Sequence, residues 1–281
     1  MMNKRMSRII YYICATILAL LFIFPLVWMV ASSMKPEKEV FEQLGTLQSF
    51  FPSFDVKNWF QPYLEISQRF NLFRYVGNSV FYATCVTVGS IIINAMAGYA
   101  FAKFEFKGKR FLFALMLALL VIPAETIIIT KFSVAQKLGI LNTRLAVILP
   151  ALSTPLFIYM FRQFFRAVSE EIIEAAKLEG AGPFRIFWSI MLPLSKPAIA
   201  TVGTLSFIAS WNDYIWPLMV LTNTEDFPLQ VAITNINNTQ PTYTNQIMAM
   251  LTISTIPLII IYVFFQKHLV QGLGSTGTGV K

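Results

Sequence analysis

The sequence predicts an all-α polytopic membrane protein with six spans, and composition and run length carry that expectation. Only 13% of its 281 residues are charged and 56% are hydrophobic, with a mean hydropathy of +0.62. Soluble domains carry about 25% charged residues, so an ordinary water-soluble enzyme is excluded. Several apolar runs approach the roughly 20 residues a helix needs to cross a bilayer. They lack the period-two alternation of an outer-membrane barrel.

The first span is expected over about 9–30, preceded by Lys4, Arg5 and Arg8 in an N-terminal segment 1–8. A cleaved signal peptide also starts basic and then apolar. This run is longer than a typical signal core, and Trp28-Met29-Val30 lacks the small-x-small cleavage pattern. A mixed-charge segment, 31–73, follows. A core over 74–266 then carries spans at about 75–101, 111–130, 145–161, 198–221 and 244–265. Residues 267–281 form a glycine-rich tail too polar to span.

Charge distribution sets the expected orientation. Segments 1–8, 102–110, 162–197 and 266–281 hold 14 Lys/Arg against 5 acids, whereas the remaining residues hold 8 against 9. Basic segments stay on the cytoplasmic side, so both termini are expected in the cytoplasm. The net charge of +8 is thus a membrane-orientation signal, and no nucleic-acid partner is expected.

Segment 162–197 is long for a linker and reads as a helix–turn–helix shelf. Ser169 before Glu170 and Glu171 is a helix start, with a capping hydroxyl and acids against the positive helix end. Gly180-Ala181-Gly182 stops that helix and Pro183 restarts one. Phe184, Phe187, Trp188 and Met191 recur with helical spacing as one apolar face, and Leu192-Pro193 ends the second helix. An interfacial anchoring element is the plain reading of such a shelf.

The full string is more specific. Glu174-Ala175-Ala176, three residues, Gly180, nine residues, Ile190, one residue, then Leu192-Pro193 resembles the EAA loop of binding-protein-dependent ABC importer permeases. Ser33-Met34-Lys35-Pro36, Asn78-Ser79, Gly98-Tyr99-Ala100-Phe101-Ala102 and Leu138-Gly139-Ile140-Leu141-Asn142-Thr143 resemble MalG-type carbohydrate permeases. So do Phe161-Arg162-Gln163-Phe164-Phe165, Trp211-Asn212-Asp213-Tyr214 and Val270-Gln271-Gly272-Leu273. Glu179 stands where the sugar-permease pattern usually has Asp, with the charge kept.

The resemblance implies a type I importer (MetI-like) fold and a sugar or oligosaccharide cargo, with glycerol phosphate or another polyol derivative as the alternative. It implies a second homologous permease, two ATPase subunits (homodimer or heterodimer) and an extracytoplasmic substrate-binding protein, in a prokaryotic cell membrane. ATP and Mg would be bound by those partners and no cofactor by this chain, which has no G-x-x-x-x-G-K-[ST] loop. Glu174, Ala175, Ala176, Glu179, Gly180, Ala181, Ile190, Leu192 and Pro193 would couple to an ATPase subunit. Gln271, Gly272, Gly274 and Gly277 of the tail would also reach the ATPases.

Pathway candidates come from the residues themselves. Trp211, Asn212, Asp213, Tyr214 and Trp216 cluster near the outer end of the fifth span, where a carboxylate is costly and faces a cavity or partner. Aromatic faces stack on sugar rings while Asn and Asp bond hydroxyls. An interfacial aromatic belt is the plain alternative. Ser90, Asn94, Gly98 and Ala102 form a small-residue stripe in the second span, a packing face with Asn94 kept as a further pathway candidate. Glu125 is expected near Lys131. With His268 the sole histidine, no His-based metal site is expected. Gly272–Gly277 matches G-x-G-x-x-G, but only four residues follow it, too few for a dinucleotide fold. Asn237-Asn238-Thr239 matches a glycosylation sequon that a bacterial importer would leave bare. A self-sufficient secondary transporter or channel, and a membrane enzyme, are the competing classes.

Overall fold

The computed structural model describes the backbone of residues 4–274, which is helical with no strand among the described residues. Three helices have the length and apolarity to cross a membrane: Arg8–Ser32, Leu72–Lys103 and Thr244–Gln266. The first and last belong to longer helices, Lys4–Ser32 and Thr244–Gly274. The other three expected spans are each broken: two count only as bent pairs, and the third bent pair joins Lys196–Trp211 to Pro183–Leu194 of the shelf rather than to Ile215–Val220.

Proline explains two of those breaks. The third span, expected as one helix over 111–130, is Lys109–Val121 followed by Ala124–Lys137, bent by 101°. Pro123 disfavours the α conformation at Ile122, which is extended at φ −83°, ψ 120°. The fourth span is Arg144–Ala151 then Pro155–Ala167, bent by 44°, with Thr154 extended before the proline that opens the second piece. The fifth, expected as continuous over 198–221, stops at Trp211 and resumes as Ile215–Val220. The second shelf helix ends at Leu192–Leu194, as Leu192-Pro193 leads one to expect, and the chain turns by 80° before Lys196–Trp211.

The described chain forms two compact units. Segments ending at Phe73 and spanning Ala232–Pro257 make one; Arg74–Val231 with the chain from Leu258 onward makes the other. In the first, segment 31–73 is folded rather than a simple loop. Lys35 is buried, and its ammonium donates to Gln43 Oε1 (2.7 Å) and the Gln48 carbonyl (2.8 Å). The Glu37 carboxylate accepts from the Thr244 and Asn245 amides (2.7 and 2.8 Å), covering the positive end of the last long helix.

In the second unit, Phe161, Phe165, Phe187 and Met191 form the core with Tyr99, Ile173 and Ala176. The small-residue stripe packs helix on helix here. Asn94 donates to Ser90 and the Leu152 carbonyl (2.9 Å) and accepts from the Thr154 amide (2.9 Å), pairing the extended residue that Pro155 creates. At the start of the same helix, Asn78 donates to the Glu225 and Phe227 carbonyls (2.8 and 3.1 Å). Ser79 Oγ accepts from the Leu229 amide (2.7 Å) at the first turn of Leu229–Asn237. Asn142, at φ 57°, bonds the Val220 carbonyl through its amide and takes the Thr222 and Asn223 amides on Oδ1 (2.7, 2.9 and 3.0 Å).

Candidate functional site

The shelf helix Glu170–Leu178 is fixed at its base and bare at its tip. Ser169 has the extended backbone of a cap, but its hydroxyl makes no capping bond, contrary to expectation. The start is held from outside by Lys103, a nearly buried side chain whose ammonium donates to the Val168 carbonyl (2.8 Å) and Glu170 Oε1 (2.6 Å). The end closes in a Schellman motif: the Ala181 amide donates to the Ala176 carbonyl and the Gly180 amide to Lys177, both at 2.9 Å. This needs a left-handed residue, and Gly180 has φ +81° with open space around it.

The EAA residues divide by burial. Ile173 and Ala176 face the core, with Ala181, Ile190 and Leu192 packed partly against it. Glu174, Ala175, Glu179, Gly180 and Pro193 are exposed, and Leu178 is 90% exposed. The single apolar face expected from Phe184, Phe187, Trp188 and Met191 is split: Phe187 and Met191 are buried, whereas Phe184 (71%) and Trp188 (48%) are exposed. Residues Phe187–Met191 adopt an i→i+5 turn, so side chains spaced for 3.6 residues per turn no longer share one side.

The fifth-span cluster lies at the break between Trp211 and Ile215. Trp211 is buried and stacks on Phe207 with centroids 5.7 Å apart. Trp216 is buried too, donating Nε1–H to the Ala146 carbonyl (2.9 Å). Both indoles therefore pack inside the chain in this conformation. Asn212 is exposed, and Asp213 and Tyr214 are half-buried. Asp213 Oδ1 accepts weakly from the Trp216 amide (3.4 Å), and Asn212 Oδ1 from Gln230 (3.5 Å). Asn94 is fully buried with its carboxamide engaged on both sides, so it presents nothing to a passing ligand here.

Lys131 was not a site candidate by itself. Its ammonium lies 4.1 Å from the Trp216 ring centroid, and no ion pair joins it to Glu125 among the described residues. The signal was a lone lysine inside an apolar stretch. Discontinuous backbone within a membrane span is tolerated where it is buried in protein or lines a cavity, and the break beside Asp213 is packed against buried Trp211 and Trp216. The backbone at Gln271, Gly272 and Gly274 continues the last helix, and Gly277 lies outside the described residues. Among the described residues, no three His, Cys, Asp or Glu side chains gather as a metal-binding group.

Similarity to known proteins matches this geometry. The pattern of the family described as binding-protein-dependent transport system inner membrane component covers residues 90–275. The arabinooligosaccharides transport system permease protein AraQ of Halalkalibacterium halodurans is 32% identical over 284 residues, covering 100% of both chains. The sn-glycerol-3-phosphate transport system permease protein UgpE of Yersinia pestis is 33% identical over 201 residues, 70% of each chain. One chain of a bacterial ABC transporter involved in the import of the acidic polysaccharide alginate superposes with TM-score 0.84 at 25% identity, covering 95% of this chain and 98% of that one. A broken-span helical membrane chain with an EAA-like shelf, matched along about two thirds of its length by one family and along all of it by a permease, belongs to the binding-protein-dependent transport system inner membrane components, the permease subunits of ABC importers.

Proposed function

We propose that this chain imports a sugar or oligosaccharide across the cytoplasmic membrane, with both termini in the cytoplasm. Its partners would be a second homologous permease, two ATPase subunits and an external substrate-binding protein. ATP and Mg would sit in the ATPase subunits, and this chain would carry out no covalent chemistry. The carbohydrate class rests on relatives such as the arabinooligosaccharide permease.

One observation carries the coupling role: a short helix anchored by Ile173, Ala176 and Lys103, whose tip displays Glu174, Ala175 and Leu178. Small Ala175 allows close approach, and Glu174 offers a charge-assisted bond to a basic partner surface. Movement of an ATPase subunit seated on the tip would pass through Lys103 to the end of the second span. The fifth-span break, with Asn212, Asp213 and Tyr214, is the candidate stretch for polar contacts to cargo.

The test is uptake by cells carrying Glu174→Lys or Gly180→Pro. Both are expected to abolish uptake while the protein stays in the membrane at wild-type abundance. Normal uptake in both variants removes the coupling role. A phosphorylated polyol is the second reading, favoured by Lys131 beside the break and by the glycerol phosphate relative. Competition for uptake between neutral oligosaccharides and glycerol phosphate separates the two.

A further inference from the structure

Arg162 and Arg166 are left over from the coupling and pathway arguments. They lie one turn apart on Pro155–Ala167, about 100° round the helix from buried Phe161 and Phe165. Like charges four residues apart repel. They border a cleft of about 950 Å3 between this helix, the end of the second span and Lys109–Ala118. Lys109 and Arg110 also line it, and Glu105 is its sole acid.

Glu105 does not neutralise the cleft. Lys109 donates to it at 2.9 Å, and that bond holds its carboxyl below the usual carboxylate range, so it stays ionised as the partner of Lys109. Arg110, Arg162 and Arg166 have no ion pair among the described residues. Arg162 is held in place by protein: Nε donates to the Phe101 carbonyl (3.2 Å), and the guanidinium lies 4.0 Å from the Phe113 centroid. These contacts orient it without supplying a negative charge.

The remaining wall is apolar, and it continues onto a helix face where Phe111 (70%) and Leu115 (53%) are exposed. A ligand suited to both surfaces has an anionic head and a hydrocarbon body. Basic pockets between membrane helices on the cytoplasmic side bind such headgroups. We infer that the cleft holds an anionic phospholipid of the inner leaflet, its phosphate among Arg110, Arg162 and Arg166 and its chains along the Phe111–Leu115 face. The inference rests on the proposed orientation, which puts these basic residues at the cytoplasmic interface.

The test uses the intact transporter, purified with its partner subunits and reconstituted in nanodiscs of phosphatidylcholine with 30 mol% phosphatidylglycerol as the probe. Phosphatidylglycerol kept after exchange into phosphatidylcholine nanodiscs is counted by mass spectrometry. The main variant is R110Q/R166Q, which spares the bonds of Arg162. K107Q is the control for a cation outside the cleft. Removing a cation that contacts the bound headgroup lowers retention roughly fivefold, so the double variant is expected to lose about 25-fold. K107Q should lose little, and 10 mM inorganic phosphate should not displace the lipid.

Equal retention by wild type and R110Q/R166Q overturns the inference. So does an equal loss in K107Q, which would mark a general surface effect, or displacement by inorganic phosphate. Retention is read without transport, so failure of the sugar-import reading appears separately, as absent uptake with lipid still bound.

Discussion

Gly98→Ala tests how tightly the second and fourth spans meet. A Cβ built at Gly98 would sit 2.7 Å from Phe161 Cβ, 2.9 Å from the Arg162 amide nitrogen and 3.1 Å from the Ile158 carbonyl oxygen. Carbon atoms pack best at about 3.5–4.0 Å, so the helices would have to part by roughly 1 Å. Two of the three obstacles are main chain, with no rotamer that yields. Overpacking of this kind costs about 1–3 kcal/mol, and alanine returns at most about 1 kcal/mol through helix propensity. A net loss of about 1–2 kcal/mol lowers the apparent Tm by roughly 2–8 °C in a chain of this size.

Gly89→Ala is the matched control on the same helix. Its Cβ would meet Leu152 Cδ2 at 2.6 Å, the far end of a flexible side chain that can rotate away. Fluorescence-detected thermal melts of detergent-purified protein should show Gly98→Ala destabilised and Gly89→Ala unchanged or slightly raised. A wild-type Tm for Gly98→Ala, or an equal fall for both variants, refutes the close-contact reasoning.

Asn142→Ala should cost about 2–3 kcal/mol, because it loses two amide partners and puts a Cβ residue at φ 57° without local bonding. Asn142→Gly relieves only the backbone part, so its melt should fall between wild type and Asn142→Ala. Lys103→Met leaves the Val168 carbonyl unpaired and frees the start of the shelf helix. In proteoliposomes, substrate moved per ATP should drop several-fold at unchanged subunit stoichiometry, and an unchanged ratio removes Lys103 from the coupling path. Burial, opposed in part by Glu39, lowers the pKa of Lys35, which lies outside the spans. Folding therefore penalises its charged form fully below that lowered pKa, and the penalty fades as pH rises from there to the ordinary value near ~10.4. Wild-type stability should climb relative to Lys35→Met across that window, and parallel pH profiles of the two Tm values refute the shift.

The number and order of spans were legible because hydropathy counts residues and needs no knowledge of packing. The breaks were harder to read. Pro123 and Pro155 are visible in the sequence, but a hydropathy run cannot tell a kinked helix from one that stops and restarts. At Asn212–Tyr214 no proline marks the break at all. In the shelf, Gly180 was legible because one residue type serves a left-handed closure. The split of Phe184 and Trp188 from Phe187 and Met191 was not, since it arises from a local i→i+5 turn that spacing rules do not encode. Aromatic residues near a span end suit a sugar platform, an interfacial belt and a core alike. Only Trp216 bonding to Ala146, and Trp211 stacking on Phe207, decide that they pack internally here.

The closure of the shelf helix has an evolutionary consequence. Its two terminal bonds run from amide to carbonyl, and the conformation they require rests on a single glycine. The outward side chains at 174, 175 and 178 therefore contribute nothing to the shape of the tip that bears them. On the proposed coupling role, substitutions there would change which ATPase surface fits the tip while leaving the fold of the element intact. A change at 180 alters the shape for every partner at once. Such an element can diverge in surface chemistry across paralogous transporters sharing one cell while keeping a common mechanical form.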